Sequence, residues 1–355
     1  MDEIHFDARY IRVGRHDGIS RFSAGLVAEL NKVTPLVALI YDVRQLEMLP
    51  KNIRYELVPS PTSLLEPLLA LRLNKLGVKT VFSPMQTMGS LGRKFKLVLT
   101  VHDFIYYRHP APPPTFSPLV RALWRLYHLS YWPQRWLLSR PDAVVTVSKT
   151  TEKLIKKHRL TKKNVWVVPN AAELVEEGYR TPAAAVSKKL IYMGSFMDYK
   201  NVELLVAGMK FLPGYELHLL SPITSQRHKE LEALIEQKSA VVFHNGVSEQ
   251  KYHELLSEAT ALVSASKDEG FGIPLVEAME RGIPVVCSDI EIFKEICGPA
   301  GFFFDPNSAE DFSNSVKELA NQDTWTRYSG LGLVQSENFT WEKSASILLG
   351  VLRGL

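Results

Sequence analysis

Cysteine is almost missing from this chain. Only Cys287 and Cys297 occur in 355 residues. Two thiols give no disulfide framework, and their spacing is not that of a metal site. Cys287 ends an apolar run and reads as a small buried hydrophobe, not a nucleophile. A reducing, cytosolic setting is the simplest expectation. Long apolar runs are missing too: none approaches the roughly 20 residues that a spanning helix needs. The first residues, Met1-Asp2-Glu3-Ile4-His5, place no basic stretch ahead of an apolar core, so no signal peptide is expected. No repeat recurs at solenoid length. No nucleic-acid motif accompanies the basic residues, which leaves nucleic acid the weakest partner reading.

What remains is globular in composition, with 46% hydrophobic residues. The length leaves room for two domains. The net charge of +4 is modest but uneven. Residues 118–163 carry eleven Lys or Arg against two acids, Asp142 and Glu152. Trp124, Tyr127, Tyr131, Trp132 and Trp136 are interleaved among them. One reading is an amphipathic helix whose aromatics pack in the core and whose arginines are solvated. The other is contact with an anionic membrane surface. Each aromatic taken singly fits the first, and the charge excess fits the second.

Short apolar runs alternate with helical segments along the whole chain. Residues 4–13, 35–42, 78–83, 95–101, 143–148 and 165–168 read as strands of a first half. Residues 190–193, 217–221, 241–244, 261–266 and 284–287 read as strands of a second. This alternation predicts an α/β protein with parallel, doubly wound sheets. Residues 173–188 have little apolar periodicity and include Pro182 with three alanines, so they read as an interdomain linker.

One string is sharper than the rest: Asp268-Glu269-Gly270-Phe271-Gly272-Ile273-Pro274-Leu275-Val276-Glu277-Ala278-Met279. It follows the apolar run 261–266, which predicts strand, glycine loop and then a helix from Pro274 to about Arg281. The glycines permit a sharp bend and a close approach to a ligand. Glu269 and Glu277 then lie at the carboxyl end of a strand, where open α/β sheets bind ligands. Glu277 reads either as a charge complement to the helix dipole or as a hydroxyl acceptor. Glu269 reads either as a solvated loop residue or as the partner acceptor. Elsewhere, Gly14 and Gly18 precede a helix, with Arg15 and Arg21 nearby, a pattern that would allow an anion-binding turn but is a weak motif taken alone. Lys200 stands where another helix begins. A cation there is disfavoured by the dipole unless a phosphate shares the site; the alternative is a tolerated, exposed lysine. His102 and Asp103 end a strand, and a lone histidine there is commonly a hydrogen-bonded structural residue.

The acid–glycine–proline–acid string resembles the signature of the retaining nucleotide-sugar glycosyltransferases of family 4, which adopt the GT-B fold. The resemblance is strong from about Leu190 to Trp341. It is traceable earlier through Gly18, His102, Ser148 and Asn170. It implies two Rossmann-like domains facing across a cleft: residues 1–172 on the acceptor side, the linker 173–188, and a donor domain over 189–340. The last helix, 341–355, would cross back to the first domain. It also places a late turn at residues 301–306.

The same resemblance implies transfer of a hexose from a nucleotide sugar with retained configuration. Mannose from GDP-mannose comes first, with glucose or N-acetylglucosamine from a UDP-sugar behind it. The acceptor would be a glycan or lipid-linked glycan in cell-surface polysaccharide or glycolipid synthesis. Glu277 would hold the ribose. Glu269 would hold the donor sugar, with Gly270, Phe271, Gly272 and Ile273 beside it. Lys200 would stabilise the departing diphosphate, and His102 would contact the donor sugar. Gly14, Gly18 and Ser195 would line the donor site, and Gly246 with Val247 would meet the base. Ser148 and Asn170 match cleft-facing positions, or else serve as cap and turn residues. Many members carry an arginine where this chain has Ser195, so the grip on the diphosphate must come from elsewhere. No Asp-X-Asp string occurs, and neither an essential metal nor a cofactor is expected; the nucleotide sugar is a substrate. The expected location is the cytoplasm, with or without a peripheral hold on the inner face of the cell membrane. The alternatives are a sugar-nucleotide epimerase or phosphorylase of the same fold, or a protein that binds a ligand without turning it over.

Overall fold

The computed structural model describes residues 3–14, 17–112, 116–172, 187–236 and 240–355. The chain divides into two compact units, Met1–Ala171 with Thr340–Leu355, and Ala172–Phe339. Of the expected linker only Ser187 and Lys188 fall within the described residues, and Arg15 lies outside them.

The first unit holds a seven-stranded parallel sheet. Its strands are β1 Ile4–Asp7, β2 Leu36–Ile40, β3 Arg54–Leu57, β4 Thr80–Ser83, β5 Lys96–Val101, β6 Ala143–Thr146 and β7 Asn164–Val167. They lie in the order β3-β2-β1-β4-β5-β6-β7. The second unit holds a six-stranded sheet of β8 Lys189–Tyr192, β9 Glu216–Leu219, β10 Ala240–Phe243, β11 Ala261–Ser264, β12 Val285–Ser288 and β13 Gly301–Phe304. Its order is β10-β9-β8-β11-β12-β13. Each sheet starts in its middle, winds to one edge, then jumps back to wind the other way. The reversals fall between β1 and β4 and between β8 and β11. At such a point two neighbouring loops diverge and leave a crevice at the strands' carboxyl ends.

The inner strands are apolar on both faces because helices cover both sides. In the first unit Phe6, Phe22 and Phe82 interlock, with the Phe6 and Phe82 rings 5.0 Å apart. In the second, Tyr192, Leu217, Phe304, Phe312 and Trp325 share one core. The Trp325 indole N–H donates to the Thr260 carbonyl at 2.9 Å, so its one polar atom is satisfied. The last helix, Trp341–Arg353, packs on Gly18–Val33 within the first unit. Gly25 permits this: a Cβ there would lie 2.3 Å from the Trp341 ring. Ser344 also donates to the Pro169 carbonyl at 2.8 Å.

Three local readings change. The first strand stops at Asp7 rather than Val13, because the Asp7 side chain caps a 3-10 turn over Ala8–Tyr10 and pairs with buried Arg9. Glu66 completes that buried cluster from the far side of the guanidinium. Residues 301–304 form β13, not a turn; Phe302 and Phe304 alternate inward, and the chain turns only after them. Strand β3 was not anticipated, because three of its four residues are exposed and it has no apolar run.

Candidate active site

The reversal between β8 and β11 gathers one group of candidate residues. β11 ends at Ser264, and its loop runs into the helix Ile273–Glu280. Gly272 caps that helix at φ +102°, which side-chain-bearing residues rarely adopt. A Cβ there would also crowd Phe293 at 3.0 Å and Leu275 at 3.2 Å. Pro274 lies in the first turn, where its missing N–H is not needed. Phe271 is buried edge-on against Phe339, their centroids 5.5 Å apart. That ring anchors the loop, and Gly270 and Gly272 flank it.

Glu269 leaves this loop to pair with the Lys200 ammonium. The Ser266 hydroxyl donates to the same carboxylate oxygen at 2.9 Å. Lys200 comes from the loop after β8. There Asp198–Lys200 make one 3-10 turn, Asn201 is left-handed, and the helix Val202–Gly208 begins only after it. The lysine therefore precedes the helix instead of opposing its dipole from within. The Lys267 N–H donates to the Tyr199 carbonyl at 2.7 Å and ties the two loops together. The paired side chains are only 16% and 13% exposed, so neither is the solvated group of the simpler reading.

Glu277 is 2% exposed and accepts a hydrogen bond from the Tyr252 hydroxyl at 2.8 Å. It lies beyond the first turn of its helix, where the dipole acts only weakly. It is an acceptor held inside the fold by a tyrosine from the helix Glu249–Ser257. Tyr252 and Ser266 were not singled out from the sequence. Tyr252 lies 25 residues from its partner, and nothing local marks it. Ser266 lies three residues before Glu269 and could have been suspected.

The Ser195 position is fixed by its backbone. The Tyr192 hydroxyl donates to the Ser195 carbonyl at 2.6 Å, and the Gly194 N–H donates to Ser221 Oγ at 3.2 Å. Burial pushes the Tyr192 phenol well above its ordinary pKa, so it stays protonated as a donor. Arg227 reaches the same loop, donating to the Phe196 carbonyl at 3.1 Å, but Glu203 and Glu230 also hold it. Asn245 and Gly246 follow β10 with φ of 53° and 100°. The Gly246 N–H donates to the Leu220 carbonyl at 3.0 Å, and Val247 leads on to the cap Ser248.

In the first unit His102 follows β5. Its Nε2–H donates to the Pro84 carbonyl at 2.8 Å, and its ring meets Phe22 edge-on at 5.2 Å. Burial lowers its pKa, partly offset by that carbonyl, so the ring is neutral near pH 7. A neutral ring that donates through Nε2 presents Nδ1 as an acceptor. Asp103 Oδ1 accepts from the Ile105 N–H at 3.0 Å and orients the next loop. Gly14 has φ +76°, and Gly18 opens the helix Gly18–Val33. That helix start is capped by Asp17, which accepts from the Ser20 N–H at 2.9 Å, so a protein carboxylate already occupies the expected anion position. Ser20 also accepts from the Arg12 N–H at 2.9 Å, a role glycine could not fill. Ser148 caps the helix Lys149–Lys157 through the Thr151 N–H at 3.1 Å. Asn170 is buried, and no described residue hydrogen-bonds its Oδ1.

Two Rossmann-like sheets in one chain define the GT-B class of folds. The comparisons agree. A model of glycosyltransferase family 4 matches residues 31–175, and one of glycosyl transferases group 1 matches residues 180–328. The chain belongs to the family 4 GT-B glycosyltransferases. Among curated relatives, O-antigen chain mannosyltransferase B of Escherichia coli is 29% identical over 161 residues, 43% of this chain and 42% of that protein. O-antigen chain mannosyltransferase RfbU of Salmonella typhimurium is 25% identical over 225 residues, 62% of this chain and 60% of that protein. The chain thus spans less than two thirds of either relative's length. Sucrose-phosphate synthase from Thermosynechococcus elongatus superposes with a TM-score of 0.74 at 17% identity, covering 100% of this chain and 99% of that one. Anabaena Alr3699/HepE, solved with UDP and glucose, gives 0.73 at 17% identity over 100% of both chains. At such identities these two likenesses show the fold.

Proposed function

We propose that the protein is a retaining hexosyltransferase of polysaccharide synthesis, taking mannose from GDP-mannose in the first instance. The observation that carries this is the paired constellation at the β8–β11 reversal: Lys200 against Glu269, with buried Glu277 one glycine loop further on. A diphosphate needs a cation, and two sugar rings need acceptors for their hydroxyls. Lys200 supplies the first; Glu269 and Glu277 supply the second. The mannosyltransferase names of both bacterial relatives support the choice of sugar.

In this reading Glu277, steadied by Tyr252, accepts from the ribose hydroxyls. Glu269 exchanges Lys200 for the hydroxyls of the donor sugar. Lys200 turns to the diphosphate and offsets charge developing on it, which is electrostatic catalysis. Ser195 adds no charge, so Lys200 carries more of that load than it would beside an arginine. His102, neutral, contacts the donor sugar. The acceptor oxygen attacks the anomeric carbon on the face the phosphate leaves, and that phosphate takes the acceptor's proton. No separate general base is required. With no Asp-X-Asp string, the reaction proceeds without an essential metal.

A thermal-shift panel of nucleotide sugars, followed by turnover in EDTA, tests this. GDP-mannose should raise the melting temperature most, since a ligand at about 100 times its Kd stabilises the fold by about 2.7 kcal/mol. Turnover should persist in EDTA. Activity recovered only on adding a divalent ion would refute the metal-free step. Conversion of the nucleotide sugar without any acceptor would indicate an epimerase, and a shift without turnover would indicate a binding protein.

A further inference from the structure

We infer that the helix Pro118–His128 and the one that follows it form a docking surface for an anionic lipid bilayer. No residue of Pro118–His128 is buried. Its aromatic face turns inward: Trp124 meets Tyr106 at 5.2 Å, and Tyr107 meets His128 at 4.9 Å. Just beyond the helix, Tyr131 stacks on Tyr107 at 4.3 Å. The leucines are left outside. Leu119, Leu123 and Leu126 recur at the spacing of one helix face and are 71%, 56% and 62% exposed, with Leu129 at 77%. Trp132 and Trp136 extend the apolar surface at 68% and 50% exposure. A contiguous apolar face of this kind marks an interaction site.

Charge selects the partner. From Pro118 to Arg140 the chain has Arg121, Arg125, Arg135 and Arg140 and no acid. A second basic segment is tied alongside. Arg135 donates to the His158 carbonyl at 3.0 Å, Tyr131 stacks on His158 at 4.3 Å, and Thr161 donates to the Leu138 carbonyl at 2.7 Å. Those contacts hold exposed Lys157, Arg159, Lys162 and Lys163 beside the apolar face. A second copy of this chain would set arginines against arginines across a two-fold interface. An anionic bilayer instead takes leucines into its acyl boundary, tryptophans at the headgroup level and cations against the lipid charge.

Sedimentation of the full chain with vesicles tests the surface. Binding to phosphatidylcholine alone should be weak. Adding phosphatidylglycerol should strengthen it, and salt should reverse the gain. The combined Leu119→Ser, Leu123→Ser, Leu126→Ser variant should lose at least about tenfold in partitioning, since each buried leucine contributes measurably. These side chains are exposed, so the variant should melt with the parent. The Lys157→Ala, Lys162→Ala, Lys163→Ala variant is an independent check and should lose about fivefold per cation near the membrane. No binding to anionic vesicles at low salt would overturn the inference. So would unchanged binding by the leucine variant, or a dimer that it dissolves in place of vesicle binding.

Discussion

Replacing Lys200 with alanine should cut the transfer rate by about 100-fold or more, with a smaller change in donor KM. That ratio corresponds to about 2.7 kcal/mol of transition-state stabilisation. The reason is local. The Lys200 ammonium is mostly shielded from water and sits at the reversal between β8 and β11. In a site of reduced dielectric a cation acts strongly on charge that develops late in the reaction. The position after Gly194, where an arginine would share the task, holds Ser195. Arg227 touches the same loop, yet two carboxylates hold it there. Lys200→Arg should retain more activity than Lys200→Ala, because charge survives while the fit changes. Single-turnover kinetics separate this from binding. A folded Lys200→Ala enzyme within about threefold of the parent rate, far short of one transition-state contact, would remove the lysine from the chemistry.

The second large effect is expected at Glu277. Glu277→Ala should raise donor KM by about 10- to 100-fold, the loss of charged hydrogen bonds at about 1.5–3 kcal/mol. kcat should change less, because ribose contacts are made equally in ground and transition states. The same change removes the carboxylate to which the Tyr252 hydroxyl now donates at 2.8 Å. Glu277→Gln keeps an acceptor for that hydroxyl and separates the two consequences. It should melt close to the parent and still bind donor weakly. A Glu277→Gln enzyme with parental donor KM would remove the carboxylate from ribose binding.

Much of this site was legible because its geometry demands particular residues. Gly272 needs its positive φ and the space beside Phe293, and Pro274 suits a helix start. Those constraints write strand, loop and helix into one short string. The buried strands were equally plain, because a sheet covered on both faces needs unbroken apolar runs. What could not be read were pairings between distant residues. Lys200 and Glu269 lie 69 positions apart, and their ion pair depends on two loops meeting across the sheet reversal. In the buried Arg9–Asp7–Glu66 cluster, Arg9 and Glu66 lie 57 positions apart in the same way. The sheet edge was missed for the opposite reason: β3 is exposed, so burial left no mark on its sequence. The basic aromatic segment was half read. Trp124 and Tyr131 pack inward as single aromatics commonly do, but the outward leucines became visible only with the helix in place.

The most direct measurement is a crystal structure of the protein with GDP-mannose bound. The Lys200–Glu269 pair should be broken, with Lys200 on the diphosphate, Glu269 on the mannose hydroxyls and Glu277 on the ribose. A donor bound elsewhere, with that ion pair intact and Glu277 still accepting from Tyr252, would contradict the assignment of all three side chains.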